Sequence, residues 1–166
     1  MRSTDLVIGP ASPDLAESPG MIGFAAWEQS AFGQDDAGRA DRQKLLAEFV
    51  SFCHDKQHTL LIAAAGHQIL GWGAREDMDN IVTDLWVAPI AQGQGVGAAL
   101  LDALEGAIAK RGFEFSQLET HAGNAGAVRF YERRGYEPIW RGMKFSASLN
   151  YELDKVRFRK FLREAV

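Results

Sequence analysis

The stretch A91-Q-G-Q-G-V-G-A-A-L-L101 decides the reading of this chain. Glycines at 93, 95 and 97 run straight into small and aliphatic residues. Glycine loses more conformational freedom on folding than any other residue, so clustered glycines mark backbone that bends sharply or approaches something closely. Upstream, I81-V-T-D-L-W-V87 is rich in β-branched and aromatic residues and is closed by Pro89, which reads as a strand. Downstream, Val96, Ala99, Leu100, Ala103, Leu104, Ala107 and Ile108 recur at the spacing of one buried helix face, and Gly112 is a natural stop. A strand that passes through glycines into a helix is an anion-binding device. The first helical turn has N–H donors without intrahelical partners, the macrodipole adds positive charge, and missing Cβ atoms let phosphate oxygens come close.

Several ligands use such a device. A P-loop requires Gly-Lys-Ser/Thr, and here Gly97 is followed by Ala98 and Ala99. A dinucleotide site can be forced onto G93-Q-G-V as G-x-G-x-x-A, with Glu114 as the distant acid. Yet Glu114 precedes the apolar residues of its strand instead of ending them, and too little sequence follows for a second nucleotide-binding half. A glycine-rich turn without a ligand is the remaining reading.

Working outward, Asp5 to Ile8 forms a short strand before a Pro- and Gly-punctuated segment, 9–20. Segments 21–32 and 40–55 read as helices, the second with Leu45, Leu46, Phe49, Val50 and Phe52 on its apolar face. G33-Q-D-D-A-G38 between them reads as a mobile loop. L60-L-I-A-A-A65 and I69-L-G-W-G-A-R75 form a hairpin across G66-H-Q68. F113-E-F-S-Q-L-E119 is a strand, Asn124 caps a short helix over 125–134, and W140–F145 and K155–F161 alternate as two more strands. The order β-α-α-β-β-β-α-β-α-β-β describes a single mixed α/β domain over 1–166.

With 166 residues there is room for one substantial core. The net charge of -4 argues against nucleic acid as the main partner and suits a cationic substrate. One cysteine, Cys53, excludes an internal disulfide, and the histidines lack paired metal spacing, so no metal is expected. The first twenty residues lack the apolar core of a secretory signal, and no run is long enough to cross a bilayer. The expectation is a cytoplasmic protein without membrane partners.

Two segments together carry a resemblance. Q92-G-Q-G-V-G97 resembles the Q/R-x-x-G-x-G/A signature of the GCN5-related N-acetyltransferases (GNAT), and N124-A-G-A-V-R-F-Y-E-R-R-G-Y136 resembles their N-x-x-A-x-x-F-Y-x-x-x-G-F/Y pattern. The match covers about residues 60–140, the acetyl-CoA-binding core, while residues 1–59 form the variable acceptor side. The resemblance implies a mostly antiparallel mixed sheet, flanked by helices and splayed between its fourth and fifth strands, here 81–87 and 113–119, with acetyl-CoA in the opening as co-substrate.

It also implies roles. Backbone at Leu85, Trp86 and Val87 would pair with the pantetheine arm, although plain sheet pairing would use the same atoms. The N–H groups of Gln92, Gly93, Gln94, Gly95, Val96, Gly97 and Ala98 would hold the pyrophosphate. Asn124, both helix cap and contact to the pantetheine amide, and Ala127 of the second signature complete the cofactor site. Tyr131 would protonate the departing thiolate, since a phenol keeps its proton at neutral pH. Asp84 ranks first as general base, being a carboxylate inside an apolar strand, and Glu119 second, with His121 and a water chain as alternatives. Arg129, Arg133 and Arg134 are candidates to meet the 3′-phosphate of CoA. Trp27, Trp72, Trp86, Phe24 and Phe32 are candidates for an aromatic acceptor pocket, though core packing is the simpler reading for each.

The implied activity is acetyl transfer to a primary amine, of a small molecule in preference to a protein, because no basic patch or recognition domain accompanies the core. An acyl-CoA sensor without turnover is the alternative, and the C-terminal strands offer an edge for homodimer pairing.

Overall fold

The computed structural model describes residues 5–11, 17–30, 41–76 and 79–163. Seven strands form one sheet in the order β1-β2-β3-β4-β5-β7-β6: β1 Leu6–Pro10, β2 Leu60–Ala65, β3 Gln68–Arg75, β4 Ile81–Val87, β5 Phe115–His121, β6 Glu137–Ser146 and β7 Tyr151–Phe161. Neighbours are antiparallel except β4 and β5, which run parallel. Among the described residues the α-helices are α1 Glu17–Gln29, α2 Arg42–Asp55, α3 Val96–Lys110 and α4 Ala125–Arg133.

Alternation along the strands sorts the helices onto the two faces. On β3, Trp72 and Ala74 face α1 and α2, where Cys53, Leu60 and Ile62 join them in one buried cluster. Gly71 and Gly73, between those residues, face α3. A Cβ there would meet Leu100 Cδ1 at 3.3 Å and Leu104 Cδ1 at 2.7 Å, so the two glycines let α3 lie directly on the sheet. The cluster beneath α3 holds Leu101, Leu104 and Ile108 against Val82, Leu118, Val156 and Phe158, with Phe130 and Tyr131 of α4 packed beside it.

The element order agrees with the sequence expectation, and the boundaries differ for local reasons. Helix α1 begins at Glu17, inside the segment read as punctuation. Pro19 sits in the first helical turn, where its missing N–H leaves no hydrogen bond unmade. Gly20 is a close-approach residue, since a Cβ would fall 2.6 Å from Val50 Cα where α1 crosses α2. Strand β5 starts at Phe115 and not Phe113, because Gly112, at φ +90°, ends α3 and the next residues turn the chain back to the sheet. The loop expected over 33–38 lies outside the described residues.

Strand β6 is a ten-residue edge, and it leaves Ile139, Met143 and Phe145 exposed. Among the described residues no helix is long and apolar enough to cross a membrane.

Candidate active site

The site begins with an irregularity in β4. Its register against β3 jumps from Arg75↔Val82 to Ala74↔Asp84, so Thr83 is an extra residue on the β4 side. Such a bulge reverses which residues aim their polar groups at a neighbour. Before it, the Glu76 N–H donates to Ile81 O from the β3 side, and Asn80 O accepts from Gln117 N–H of β5 at 2.9 Å. After it, Ala88 N–H donates to Leu70 O of β3 at 2.8 Å. The phase has shifted by one, and Leu85 and Val87 therefore turn their N–H and C=O groups away from β3. There β5 does not receive them, because the two strands pair only at Ile81↔Gln117 and Val82↔Leu118 and then part.

A cavity of about 440 Å³ occupies this opening. It passes through the sheet, with Tyr131, Asn124 and Ala127 of the α4 region at one end and Trp27, Glu48 and Phe49 of α1 and α2 at the other. Asp84 lines the cavity from β4. Its Oδ1 accepts from Trp86 Nε1 at 3.1 Å. Burial pushes the Asp84 carboxyl above the usual carboxylate range, and hydrogen bonds from Trp86 and Thr83 offset part of that rise. Tyr131 packs edge-on to Phe130 and Tyr136, at ring separations of 5.2 and 5.9 Å. Burial, with the negative charge of Asp84 behind it, raises its hydroxyl to about 12.

From Val87 the chain enters the glycine loop. Gly93 and Gly95 have φ of +76° and +84°, a left-handed region that other residues adopt only with strain. Gly95 is the N-cap of α3 and offers no side chain to it, so the first-turn N–H groups have no side-chain cap. Gln92 Nε2 donates to Val87 O at 3.2 Å and Gln94 Nε2 to Ile90 O at 3.2 Å, which folds the loop back against the end of β4. An anion-ready helix terminus thus continues the open edge of a strand.

Over residues 22–136 the chain matches the acetyltransferase (GNAT) family. The chain belongs to that family. Solved structures share the fold. A GCN5-related N-acetyltransferase from Rhodopseudomonas palustris superposes with a TM-score of 0.77 at 24% identity, covering 98% of this chain and 99% of that one. The protein yncA from Salmonella typhimurium, solved with its cofactor acetyl-CoA, gives 0.69 at 17% identity, with 98% and 96% covered. The PaiA N-acetyltransferase from Thermoplasma acidophilum, solved with coenzyme A, gives 0.64 at 18% identity, with 95% and 99% covered. No curated protein matches.

Within this GNAT fold the remaining sequence candidates separate. Glu119 lines the cavity, but its carboxylate is held by Lys144 Nζ at 2.7 Å and Arg157 Nε at 3.1 Å. Burial would raise its pKa, and the hydrogen bonds and charges of those two cations outweigh burial, leaving it below the usual range. Asn124 caps α4 by accepting from Ala127 N–H at 3.1 Å while it lines the cavity. His121 also lines it. Trp27 and Trp86 reach the cavity wall, Phe24 stacks behind Trp27 at 5.9 Å, and Trp72 is fully buried in the core. Phe32 falls outside the described residues. Arg134 pairs with Asp102, whereas Arg129 and Arg133 are exposed.

Sequence reasoning passed over two charged residues of the cavity, Glu48 and Lys155. Glu48 interrupts the apolar face of α2 between Leu45 and Phe49, which was its signal. Lys155 stands in the basic run K155-V-R-F-R-K160, where nothing distinguishes it from its neighbours.

Proposed function

We propose that this chain moves the acetyl group of acetyl-CoA to the primary amine of a small molecule by direct attack on the thioester. The observation that carries this reading is the continuous track formed by the bulge-turned backbone of Leu85 and Val87 and the N-terminus of α3, with Asp84 and Tyr131 beside it. The pantetheine arm has amide groups suited to an open strand edge, and the pyrophosphate suits the donors of Gln92 to Ala98. A dinucleotide lacks an amide-bearing arm that would use the open edge of β4, which favours CoA over the rival ligand. Neighbours solved with acetyl-CoA and with coenzyme A support the same choice.

In the reaction, the Val87 N–H, turned into the opening, supports the thioester oxygen as negative charge develops on it. The amine nitrogen bonds to the carbonyl carbon and its proton passes to the Asp84 carboxylate, directly or through water. The C–S bond breaks, and the Tyr131 hydroxyl donates its proton to the departing thiolate. Tyr131 regains a proton from solvent and Asp84 returns its own, so the net change is amide and free thiol from amine and thioester. Glu119, committed to two cations, is the weaker base. The reading also places the enzyme in the cytoplasm, where acetyl-CoA is available, and takes the β6 edge as the contact of a homodimer.

Titration calorimetry with acetyl-CoA, CoA and NAD tests the reading. Binding of both CoA forms without NAD supports it, and thiol release on adding amines then establishes turnover. Binding of NAD alone would overturn it. Binding of acetyl-CoA with no thiol release across a broad amine panel would favour a sensor.

A further inference from the structure

The cavity is lined by two charged side chains, Lys155 and Glu48, that keep polar atoms without a hydrogen-bond partner among the described residues. The cations on β6 and β7 are otherwise provided for: Arg141 pairs with Asp154, Lys144 and Arg157 with Glu119, and Lys160 with Glu105. Arg159 stacks over the rings of Phe115 and Phe161. The Lys155 side chain lines the cavity, and its ammonium makes no hydrogen bond or ion pair among the described residues. Burial lowers its pKa, an effect that the charges of Glu119 and Asp84 partly reverse. It shares the cavity lining with Asp84 and Glu119, and its backbone sits opposite His121 of β5. On α2, the Oε2 atom of Glu48 is buried and has no hydrogen-bond partner, while Oε1 pairs with Lys44 at 3.9 Å. Trp27, Phe49, Trp86 and Leu149 add an apolar and aromatic part to the lining. Phe49 stands edge-on to Trp86 at 5.2 Å.

A buried polar atom without a hydrogen-bond partner is unfavourable, so a ligand that supplies partners to Glu48 Oε2 and to the Lys155 ammonium gains most from this arrangement. The attacked amine must lie beside Asp84, and a cation lining the same cavity suits a carboxylate one carbon away from the amine. An unpaired carboxylate oxygen beyond aromatic walls suits a cationic group on the far end of an aliphatic stem. We infer that the acceptor is a basic α-amino acid, acetylated on its α-amine, with its carboxylate on Lys155 and its side-chain cation on Glu48. The inference rests on the acetyltransferase reading above and narrows its substrate class.

The test follows thiol release from acetyl-CoA with three acceptors: L-arginine, agmatine, which lacks the carboxylate, and L-norleucine, which lacks the distal cation. Wild-type protein should use arginine with a kcat/KM at least about tenfold above either analogue, the factor expected for one charged contact, and the product should be Nα-acetylarginine by mass spectrometry. Lys155→Met should erase the difference between arginine and agmatine. Glu48→Gln should erase the difference between arginine and norleucine. Both losses should fall mainly on KM, with thermal melting and acetyl-CoA binding showing that the variants are folded. Agmatine used as well as arginine, or discrimination that survives in Lys155→Met, would overturn the carboxylate anchor. Norleucine used as well as arginine would overturn the cation anchor. If all three acceptors fail while acetyl-CoA binds and another amine is acetylated, this inference falls and the acetyltransferase reading stands.

Discussion

Two glycines of the same helix region should respond to alanine with opposite signs. Gly95 caps α3 at φ +84°, and nothing lies within 4 Å of where its Cβ would stand, so the penalty of Gly95→Ala comes from the backbone alone. Holding an L-residue in the left-handed region costs about 1–2 kcal/mol. Gly106 lies inside α3, exposed and equally clear of neighbours, but in right-handed helical backbone. There Gly106→Ala should stabilise by about 1 kcal/mol, because alanine loses less backbone freedom. The variants should therefore differ by about 2–3 kcal/mol, or roughly 4–12 °C in Tm for a chain of this size. Urea unfolding with an unchanged m-value measures it. Binding supplies a second axis. If Gly95→Ala relaxes its φ, donors of the loop rotate away from the pyrophosphate. Losing one charge-assisted hydrogen bond, about 1.5–3 kcal/mol, weakens acetyl-CoA by roughly 10–100-fold. Gly106→Ala should bind as wild type, since it lies about 16–17 Å further along the helix at 1.5 Å per residue. Equal stability changes of one sign would refute the conformational argument, and unaltered affinity in Gly95→Ala would remove the loop from the pyrophosphate site.

Other outcomes follow from the same geometry. Tyr131→Phe should lower kcat on the order of 100-fold, the lower range for a positioned acid, while calorimetry shows acetyl-CoA affinity unchanged. Asp84 has a raised folded pKa, so its ionised form disfavours the fold, and stability falls as pH rises from the unfolded value through the folded one. Asp84→Asn should then melt higher than wild type at neutral pH, with the gap closing towards acid, and should lose the rise of kcat/KM with pH. Glu119 has the opposite sign: its lowered pKa contributes stability above the unfolded value, and that contribution is lost as pH falls through the folded value. Glu119→Gln should weaken this acid dependence and keep more turnover than Asp84→Asn. Sedimentation should show a dimer for wild type if β6 edges pair, and Phe145→Lys should shift it towards monomer.

Much of this was legible because it depends on short-range pattern. The helical spacing in Val96 to Ile108, the Asn124 cap and the alternation of β3 are consequences of neighbours within a few residues, and so is the need for glycine at 93 and 95. The two signatures place Asn124 and Tyr131, and both line the cavity. Only the tertiary structure decided what depends on register and on the approach of distant segments. The Thr83 bulge is a mismatch between two strands and is invisible in either one, yet it turns Leu85 and Val87 into the opening. Glu119 read as a free acid until Lys144 and Arg157, from strands far along the chain, were seen to hold it. Lys155 differs from the lysines and arginines around it in that, among the described residues, no carboxylate pairs with its ammonium and no ring lies under it, and a partner missing in space leaves no mark on a sequence.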